Sequence, residues 1–303
     1  MIRAYGDQDA AQLAAIYNRV YGAKAVSPEG FRELVAGTLD AGGLVWVIGN
    51  SRLSGYAMVT PVPGLDGVGD LAGCIAPERQ RCGLGSDLLR FLLEALRGGD
   101  FWQIAHHLTD LDSPAAYFLR QHDFFVEHEE VLMALDELSR LPSKRGDSPV
   151  RLRAYSRSTA VPLFCRLYEE SFAGLPWNQP FTPAEVSAVL RDANNLLFLM
   201  LDGEAIGFAW VGLDQDGKGF VEPLGIIPAY QGKGFGRMLL TSVLQELIGR
   251  GAKDVGIGAW RNNEAAIRLY ESFGFRQRKV FTYLALNLDE TVTPGTQQRR
   301  TGI

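Results

Sequence analysis

A glycine-rich segment in the second half of the chain has the residue types that hold phosphate groups. It reads Gln-Gly-Lys-Gly-Phe-Gly-Arg from Gln231 to Arg237, follows Pro228 and leads directly into a predicted amphipathic helix. Free backbone N–H groups at a helix start attract anions, and glycines let a phosphate approach the backbone closely. Neither the Gly-Lys-Ser/Thr ending of a Walker loop nor the G-x-G-x-x-G dinucleotide spacing is present. The segment therefore predicts a phosphate-binding loop of another kind.

A second segment, residues 261–275, places polar side chains at helical spacing after a predicted strand at residues 255–260. Asn263 stands at a natural helix cap, and Gly274 is suited to end the helix. Tyr270 lies two helical turns after Asn263, so both side chains can face one cleft. Taken alone, this helix favours a simple cap at Asn263 and a packing aromatic at Tyr270.

Together, the two segments resemble the GNAT superfamily of N-acyltransferases. Gln231, Gly234 and Gly236 match its pyrophosphate-loop pattern Gln/Arg-x-x-Gly-x-Gly/Ala, and residues 263–275 match N-x-x-A-x-x-L-Y-x-x-x-G-F without a gap. The resemblance implies that the second half binds acetyl-CoA as co-substrate and transfers its acetyl group directly to a primary amine. The cofactor-binding residues that it implies are Ile226, Ile227, Gln231, Gly232, Lys233, Gly234, Phe235, Gly236, Arg237 and Asn263.

The resemblance also implies the roles of individual groups in the reaction. The hydroxyl of Tyr270 protonates the departing CoA sulfur, and the backbone N–H of Ile226 or Ile227 polarises the thioester carbonyl. Glu222 interrupts an otherwise apolar strand and can take the ammonium proton directly or through a water. The alternative for Glu222 is a strand-end charge that faces solvent, because only some family members use a side-chain base.

The elements that must position these residues occur twice along the chain. Met-Ile-Arg-Ala-Tyr at the start is echoed by Arg-Leu-Arg-Ala-Tyr at residues 151–155, and each half then follows the order helix, strands, strand-loop-helix, strand and helix. We predict an α/β (α+β) protein with two tandem GNAT-like domains, each a mixed, mainly antiparallel sheet flanked by helices. The predicted ranges are a domain at 1–140, a linker at 141–149, a catalytic domain at 150–288 and a flexible tail at 289–303.

The first half keeps the loop but loses the reactive side chains. Aligning Pro77 with Pro228 puts Leu71 opposite Glu222, and Leu119 or Arg120 opposite Tyr270, depending on a one-residue choice of register. We therefore predict a catalytically silent domain that completes the fold, shapes the pocket or holds a non-reacting CoA. The two-domain layout is similar to that of mycothiol synthases, from which no substrate is inferred. A possible second CoA site comprises Gln80, Arg81, Gly83 and Gly85.

The composition is that of an ordinary globular protein. The 303 residues are 47% hydrophobic and carry a net charge of −5, which argues against nucleic-acid binding. The start lacks a signal-peptide pattern, and no apolar run approaches the roughly 18 residues of a membrane span. We expect a cytoplasmic protein that binds no membrane. Its three cysteines lack metal-ligand spacing, which argues against both disulfides and a metal site.

The sequence leaves the acceptor open, and with it the oligomeric state. Trp177 and Phe181 fall in the region that sets acceptor choice in the superfamily, although closure over a core is the favoured role for such aromatics. The candidates are a small amine, such as an amino sugar, a polyamine or an amino acid, and a protein amino terminus. Two rival hypotheses are a non-catalytic CoA-binding regulatory module and an enzyme that uses a different acyl-CoA.

Overall fold

The computed structural model of the protein describes residues 1–22, 25–138, 149–173, 178 and 180–289. The chain forms two compact units, one made of Met1–Glu127 with Tyr283–Ile303 and the other of His128–Thr282. Most of the predicted linker, residues 141–148, and most of the predicted tail, residues 290–303, lie outside the described residues. Trp177 lies outside them as well.

The first unit is a mixed sheet flanked by helices. Its strands are β1 (Ile2–Ala4), β2 (Leu44–Gly49), β3 (Leu53–Pro61), β4 (Val68–Ile75) and β5 (Gln103–Leu108). Its helices are α1 (Ala10–Tyr21), α2 (Pro28–Asp40), α3 (Leu84–Leu96) and α4 (Pro114–Arg120). The strands lie side by side in chain order, antiparallel from β1 to β4 and parallel between β4 and β5.

The second unit repeats this arrangement from β7 to β11 and has one further strand, β6, beside β11. Its strands are β6 (Phe125–Leu135), β7 (Val150–Arg153), β8 (Leu196–Leu201), β9 (Glu204–Leu213), β10 (Lys218–Ile226) and β11 (Asp254–Trp260). Its helices are α5 (Arg157–Phe172), α6 (Pro183–Val189), α7 (Phe235–Gly249) and α8 (Glu264–Ser272). The spatial order is β6-β11-β10-β9-β8-β7, in which β10 and β11 are the parallel pair. The mixed, mainly antiparallel arrangement with flanking helices confirms the predicted fold class.

Strand β6 belongs to the first half of the sequence but lies mainly in the second unit. It pairs antiparallel with β11, with Glu130 opposite Trp260 and Leu135 opposite Val255. The last strand, β12 (Arg276–Asn287), conversely contributes its end to the first unit. The predicted domains follow sequence order, whereas most of β6 belongs to the second compact unit and the end of β12 belongs to the first. The sequence does not predict this, because an apolar pattern identifies a strand without identifying its partner.

Helix α7 holds the glycine-rich segment at the end of β10. One face of the helix is fully buried and packs against β9 and β10. Burying each of these side chains contributes about 1.5–3 kcal/mol, so the start of the helix is firmly placed. The residues of this face are Leu239, Leu240, Val243, Leu244 and Leu247. Among the described residues, no helix is long and apolar enough to cross a membrane.

Candidate active site

A cleft opens in the second unit where two parallel strands separate. Strands β10 and β11 pair from Lys218–Asp254 to Val221–Ile257, and both strands then continue without pairing further. The pairing of β10 with β9 shifts register directly after Val221, which marks a bulge in β10 at the branching point. The cleft has a volume of about 290 Å³ and is lined by residues from β6, α5, β10, β11 and α8.

Glu222 lies in this bulge, and its carboxylate faces the cleft. The side chain is open at the cleft surface, yet protein atoms surround most of it, because the cleft is concave. Poor solvation raises the pKa of Glu222, and the negative charge of Glu130 raises it further. A carboxylate that is reachable by a small molecule and has a raised pKa is suited to accept a proton near neutral pH.

Gly258 on β11 makes the room that Glu222 occupies. A Cβ atom at position 258 would lie 3.0 Å from both carboxylate oxygens of Glu222, which is closer than ordinary van der Waals contact. Any larger side chain at this position would therefore displace the carboxylate. The glycine keeps the floor of the cleft open beside the carboxylate of Glu222.

Tyr270 lines the same cleft from helix α8. Its side chain is 4% exposed. Burial raises the pKa of the Tyr270 hydroxyl, and the charge of Glu222 raises it further. The phenol therefore stays protonated at neutral pH and is able to donate a proton to a strongly basic leaving group. Asn263 begins the helix, where its side-chain oxygen accepts a hydrogen bond from the backbone N–H of Ala266 at 3.1 Å.

The glycine-rich segment presents unpaired backbone donors at the start of α7. Gly232 and Gly234 adopt φ of 72° and 85°, in the left-handed region that favours glycine. The first backbone N–H of this turn to donate within the helix is that of Arg237, to Gly234 O at 3.1 Å. The N–H groups from Gly232 to Gly236, including that of Phe235, have no acceptor among the residues that the structure describes. Such a row of donors fits a phosphate anion.

The side chains of the segment are engaged locally. Gln231 donates to the carbonyl of Ile226 at 2.8 Å and so ties the loop to the end of β10. Lys233 donates to the carbonyl of Ala229 at 2.8 Å. Arg237 donates to the hydroxyl of Ser272 at 2.7 Å, which joins α7 to α8. The backbone amides, more than these cations, are therefore the free donors of the loop.

The geometry distinguishes the two backbone N–H groups that the sequence offered as donors to a thioester. Ile227 N–H donates to Ile206 O on the β9 side at 3.1 Å. Ile226 is opposite Gly207 in the same antiparallel pair of strands. Because hydrogen-bonded and non-hydrogen-bonded pairs alternate, the N–H of Ile226 points away from β9 and toward the cleft. Ile226 is thus the residue of the two whose N–H can reach a ligand there.

The first unit has a loop of the same backbone shape. Gln80 donates to the carbonyl of Ile75 at 2.9 Å, as Gln231 does to Ile226. Gly83 has φ of 84° at the start of α3, and Arg81 has φ of 57° where the second unit has a glycine. Gly85 follows in the first turn of the helix.

The cleft of the first unit differs from that of the second. The parallel pairing of β4 and β5 also ends part-way along both strands. The residues that follow are Leu71 and His106, where the second unit has Glu222 and Gly258. His106 Nδ1 donates to the carbonyl of Leu71 at 2.7 Å, so the imidazole bridges the gap between the two strands.

The structure also resolves which residue of the first unit stands in place of the tyrosine. Phe124 N–H donates to Leu119 O at 3.2 Å, as Phe275 N–H donates to Tyr270 O at 3.2 Å. The matching hydrogen bonds at the two helix ends make Leu119 the counterpart of Tyr270. Leu119 and Tyr270 are both 4% exposed, whereas Arg120 is exposed to solvent. The buried position therefore carries leucine, which has no proton to donate.

Several residues that line the cleft escaped the sequence analysis. Glu130 comes from β6. It is far from the motifs along the chain, so the sequence gives no sign that it lies in the cleft. The cleft is also lined by aromatic side chains. Phe181 was singled out in the sequence, whereas the other aromatic residues were interpreted only as part of a helix or a strand. Those residues are Tyr168 and Phe172 on α5, and Trp260 at the end of β11.

Comparison with known proteins shows what the chain is similar to. Residues 162–275 match the model of the Acetyltransferase (GNAT) family. A mycothiol acetyltransferase of Thermomonospora curvata is 32% identical over 75% of this chain and 77% of its own length. One of Gordonia bronchialis is 29% identical over 89% of each chain. A tandem GNAT protein from the clavulanic acid biosynthesis pathway has a similar fold, with a TM-score of 0.63 at 15% identity over 96% of this chain and 99% of that one.

Within the described parts of the chain, no group of three or more His, Cys, Asp or Glu side chains is placed to hold a metal ion.

Proposed function

The chain belongs to the GNAT acetyltransferase family and is an N-acetyltransferase, and from this premise we propose that its second unit transfers the acetyl group of acetyl-CoA to a primary amine. The observation that supports this assignment most strongly is that Glu222 and Tyr270 line one cleft, which opens between β10 and β11. The free backbone amides from Gly232 to Gly236 lie beyond the end of β10, at the start of α7.

In the proposed reaction the amine enters as an ammonium ion, and Glu222 takes a proton from it directly or through a water. The amine nitrogen then attacks the carbonyl carbon of the thioester, and the N–H of Ile226 stabilises the charge that develops on the carbonyl oxygen. As the tetrahedral centre collapses, the C–S bond breaks and Tyr270 gives its proton to the departing sulfur, while the nitrogen loses its second proton to water; solvent then returns a proton to Tyr270 and takes the proton that Glu222 accepted. The products are the amide and free CoA.

We further propose that the backbone donors of Gly232 to Gly236 hold the pyrophosphate, with Gln231, Lys233, Arg237 and Asn263 in supporting roles. Gly234 and Gly236 lie at the first turn of α7, where open space surrounds the position of a Cβ at Gly234. Close approach of a phosphate to the backbone needs this space.

We propose that the first unit is catalytically silent. Leucines stand in place of the acid and the base, and His106 bridges the strands where the second unit is open. Its loop, with Gln80, Arg81, Gly83 and Gly85, keeps the backbone shape of a phosphate site, so a bound but non-reacting CoA is compatible with it. The domain boundaries, a cytoplasmic location and the acyl group remain predictions.

The two alternatives are a non-catalytic CoA-binding regulatory module and an enzyme that uses a different acyl-CoA. A non-catalytic module would bind acetyl-CoA tightly but consume it only at background rates with every amine. The names of the relatives make the acceptor of the mycothiol acetyltransferases one candidate substrate for this chain, and a panel of amines must include it.

The replacement Tyr270→Phe tests the proposal. We expect turnover, measured as amine-dependent release of the CoA thiol, to fall by about 100-fold or more, because the leaving sulfur loses its proton donor. Acetyl-CoA binding, measured by calorimetry, should be retained. Tyr117→Phe is the matched control, because Tyr117 is 68% exposed on α4 and its loss should leave turnover unchanged. Undiminished turnover in Tyr270→Phe would remove this residue from the mechanism.

A further inference from the structure

One wall of the catalytic cleft is a continuous row of aromatic rings. Tyr168 and Phe172 on α5 lie 4.9 Å apart between ring centroids, and Phe181 contacts Tyr168 edge-on at 4.8 Å. Trp260 extends the row, 6.1 Å from Phe172. All four rings line the cleft. Edge and face contacts of this kind form a firm surface that accepts another planar ring or the face of a cation.

Two carboxylates face this aromatic wall. Glu130 is opposite Trp260 across the pair of strands β6 and β11, so both side chains stand on the same face of the sheet. On that face Glu222 lies over Gly258, two residues before Trp260 on β11. The negative charge of Glu130 disfavours the ionised form of Glu222. A ligand cation placed beside both would relieve this repulsion.

The cleft itself supplies no matching positive charge. No lysine, arginine or histidine is found among the described residues that line it, and the sequence between Ala173 and Phe181 contains none. Beside the cleft, the guanidinium of Arg261 lies 3.3 Å from Glu129, and the imidazole of His128 lies 3.8 Å from Glu130. Among the described residues, no cationic side chain pairs with Glu222, so a positive charge beside it must come from the ligand, and a carboxylate on the ligand would meet repulsion.

From these contacts we propose that the acceptor is a cationic arylalkylamine, a primary amine on a short carbon chain that ends in a planar apolar ring, and that Glu130 binds its ammonium group beside Glu222. The inference rests on the proposed function, because it names the substrate class of the same cleft. The ring packs against Tyr168, Phe172 and Trp260, and the volume of about 290 Å³ suits a compact acceptor.

The test uses the full chain with acetyl-CoA and four amines. They are 2-phenylethylamine, phenylalanine, phenylalaninamide and glucosamine, and the readout is kcat/KM for release of the CoA thiol. We expect 2-phenylethylamine to exceed phenylalanine by roughly 100-fold, because the added carboxylate faces two acids. Phenylalaninamide has a neutral amide in place of the carboxylate, and its kcat/KM should lie between those of the other two. A preference for glucosamine, or equal use of phenylalanine, would overturn the proposal.

A matched pair of variants tests the role of Glu130. Glu130→Gln should raise the KM for 2-phenylethylamine by about tenfold while kcat at saturating amine changes by less than about twofold, because a charged contact to the bound amine is lost. Glu129→Gln removes the same charge from the adjacent residue, which pairs with Arg261 and Thr282, and should change neither constant. Equal effects of the two variants would overturn the assignment of Glu130.

The outcomes separate this inference from the proposed function. Turnover of glucosamine or phenylalanine in preference to 2-phenylethylamine leaves the proposed function standing and removes the acceptor class. Background thiol release with these four amines and also with the acceptor of the mycothiol acetyltransferases contradicts the proposed function instead. In that case calorimetric titration of 2-phenylethylamine into the acetyl-CoA-loaded protein tests the acceptor class alone: binding that Glu130→Gln weakens supports it, and no binding overturns it.

Discussion

The surroundings of Glu222 raise the pKa of its carboxylate. The bulge in β10 turns it into the cleft, Gly258 leaves room for its carboxylate, and the concave surface limits its solvation. Glu130 adds a negative charge nearby, and the phenols of Tyr168 and Tyr270 both sense the charge of Glu222. The result is a carboxylate with a raised pKa, beside a phenol that stays protonated. An acid and a base with pKa values pushed in useful directions are the pair that aminolysis of a thioester needs.

The pH dependence of kcat/KM follows from this arrangement. The amine can lose its proton to Glu222 only while Glu222 is ionised, so activity should fall as pH drops through the raised pKa of this residue. The replacement Glu130→Gln removes a charge that holds the pKa up, and we expect it to move the acid limb to lower pH. The profile is measured as thiol release under limiting amine. An acid limb that is unchanged in Glu130→Gln, or that moves to higher pH, contradicts the assignment of Glu222 as base.

At the scale of elements, a buried carboxylate holds the start of the first unit together. In the first unit Asp9 links β1 to the beginning of α1. Its carboxylate accepts two hydrogen bonds from Arg3, at 2.6 and 2.7 Å, and one from the N–H of Gly6 at 2.9 Å. Asp9 is 3% exposed. The hydrogen bonds from Arg3 are the main reason that the pKa of Asp9 lies below its ordinary value, and the Gly6 N–H also lowers it.

Replacing Asp9 with Asn should therefore destabilise the first unit in a pH-dependent manner. Because the folded-state pKa is depressed, the ionised carboxylate contributes stability above its unfolded pKa and loses it as pH falls through the folded pKa. At pH 7 we expect the free energy of unfolding to drop by about 2 kcal/mol, with a smaller difference in acid. Urea unfolding at both pH values measures this. Asp7→Asn, at an exposed position, is the control, and an equal loss in both variants would contradict the role of Asp9.

At the scale of the whole molecule, the sequence predicted the features whose residues are neighbours along the chain. The loop from Gln231 to Arg237, the cap at Asn263 and the buried Tyr270 all lie within short motifs whose spacing is fixed by helix and turn geometry. The order of elements in two repeats predicted the fold class for the same reason. Glu222 could be singled out from the sequence because it is an acid in an apolar run, where burying a charge is costly.

The rest of the cleft depends on pairing between distant segments. Glu130 reaches the site only because β6 pairs with β11 in the other half of the sequence, and no local pattern encodes that choice. The need for glycine at position 258 arises from contact with Glu222, which is remote along the chain. In the first unit, the hydrogen bond from His106 to Leu71 could not be predicted for the same reason, because the two residues lie on different strands.

The two loops provide the most direct test of the central claim that acetyl transfer takes place in the second unit. Gly234 and Gly83 have matching φ of 85° and 84°, and open space surrounds a Cβ at each. A glutamate at either position therefore carries the same backbone strain, about 1–2 kcal/mol, and adds one carboxylate that repels a pyrophosphate.

The decisive measurement is amine-dependent release of the CoA thiol by Gly234→Glu and by Gly83→Glu. We expect Gly234→Glu to reduce turnover to background and Gly83→Glu to retain it, because only the second unit combines the loop with Glu222 and Tyr270. Loss of turnover in Gly83→Glu with full activity in Gly234→Glu would place the reaction in the first unit and contradict the central claim.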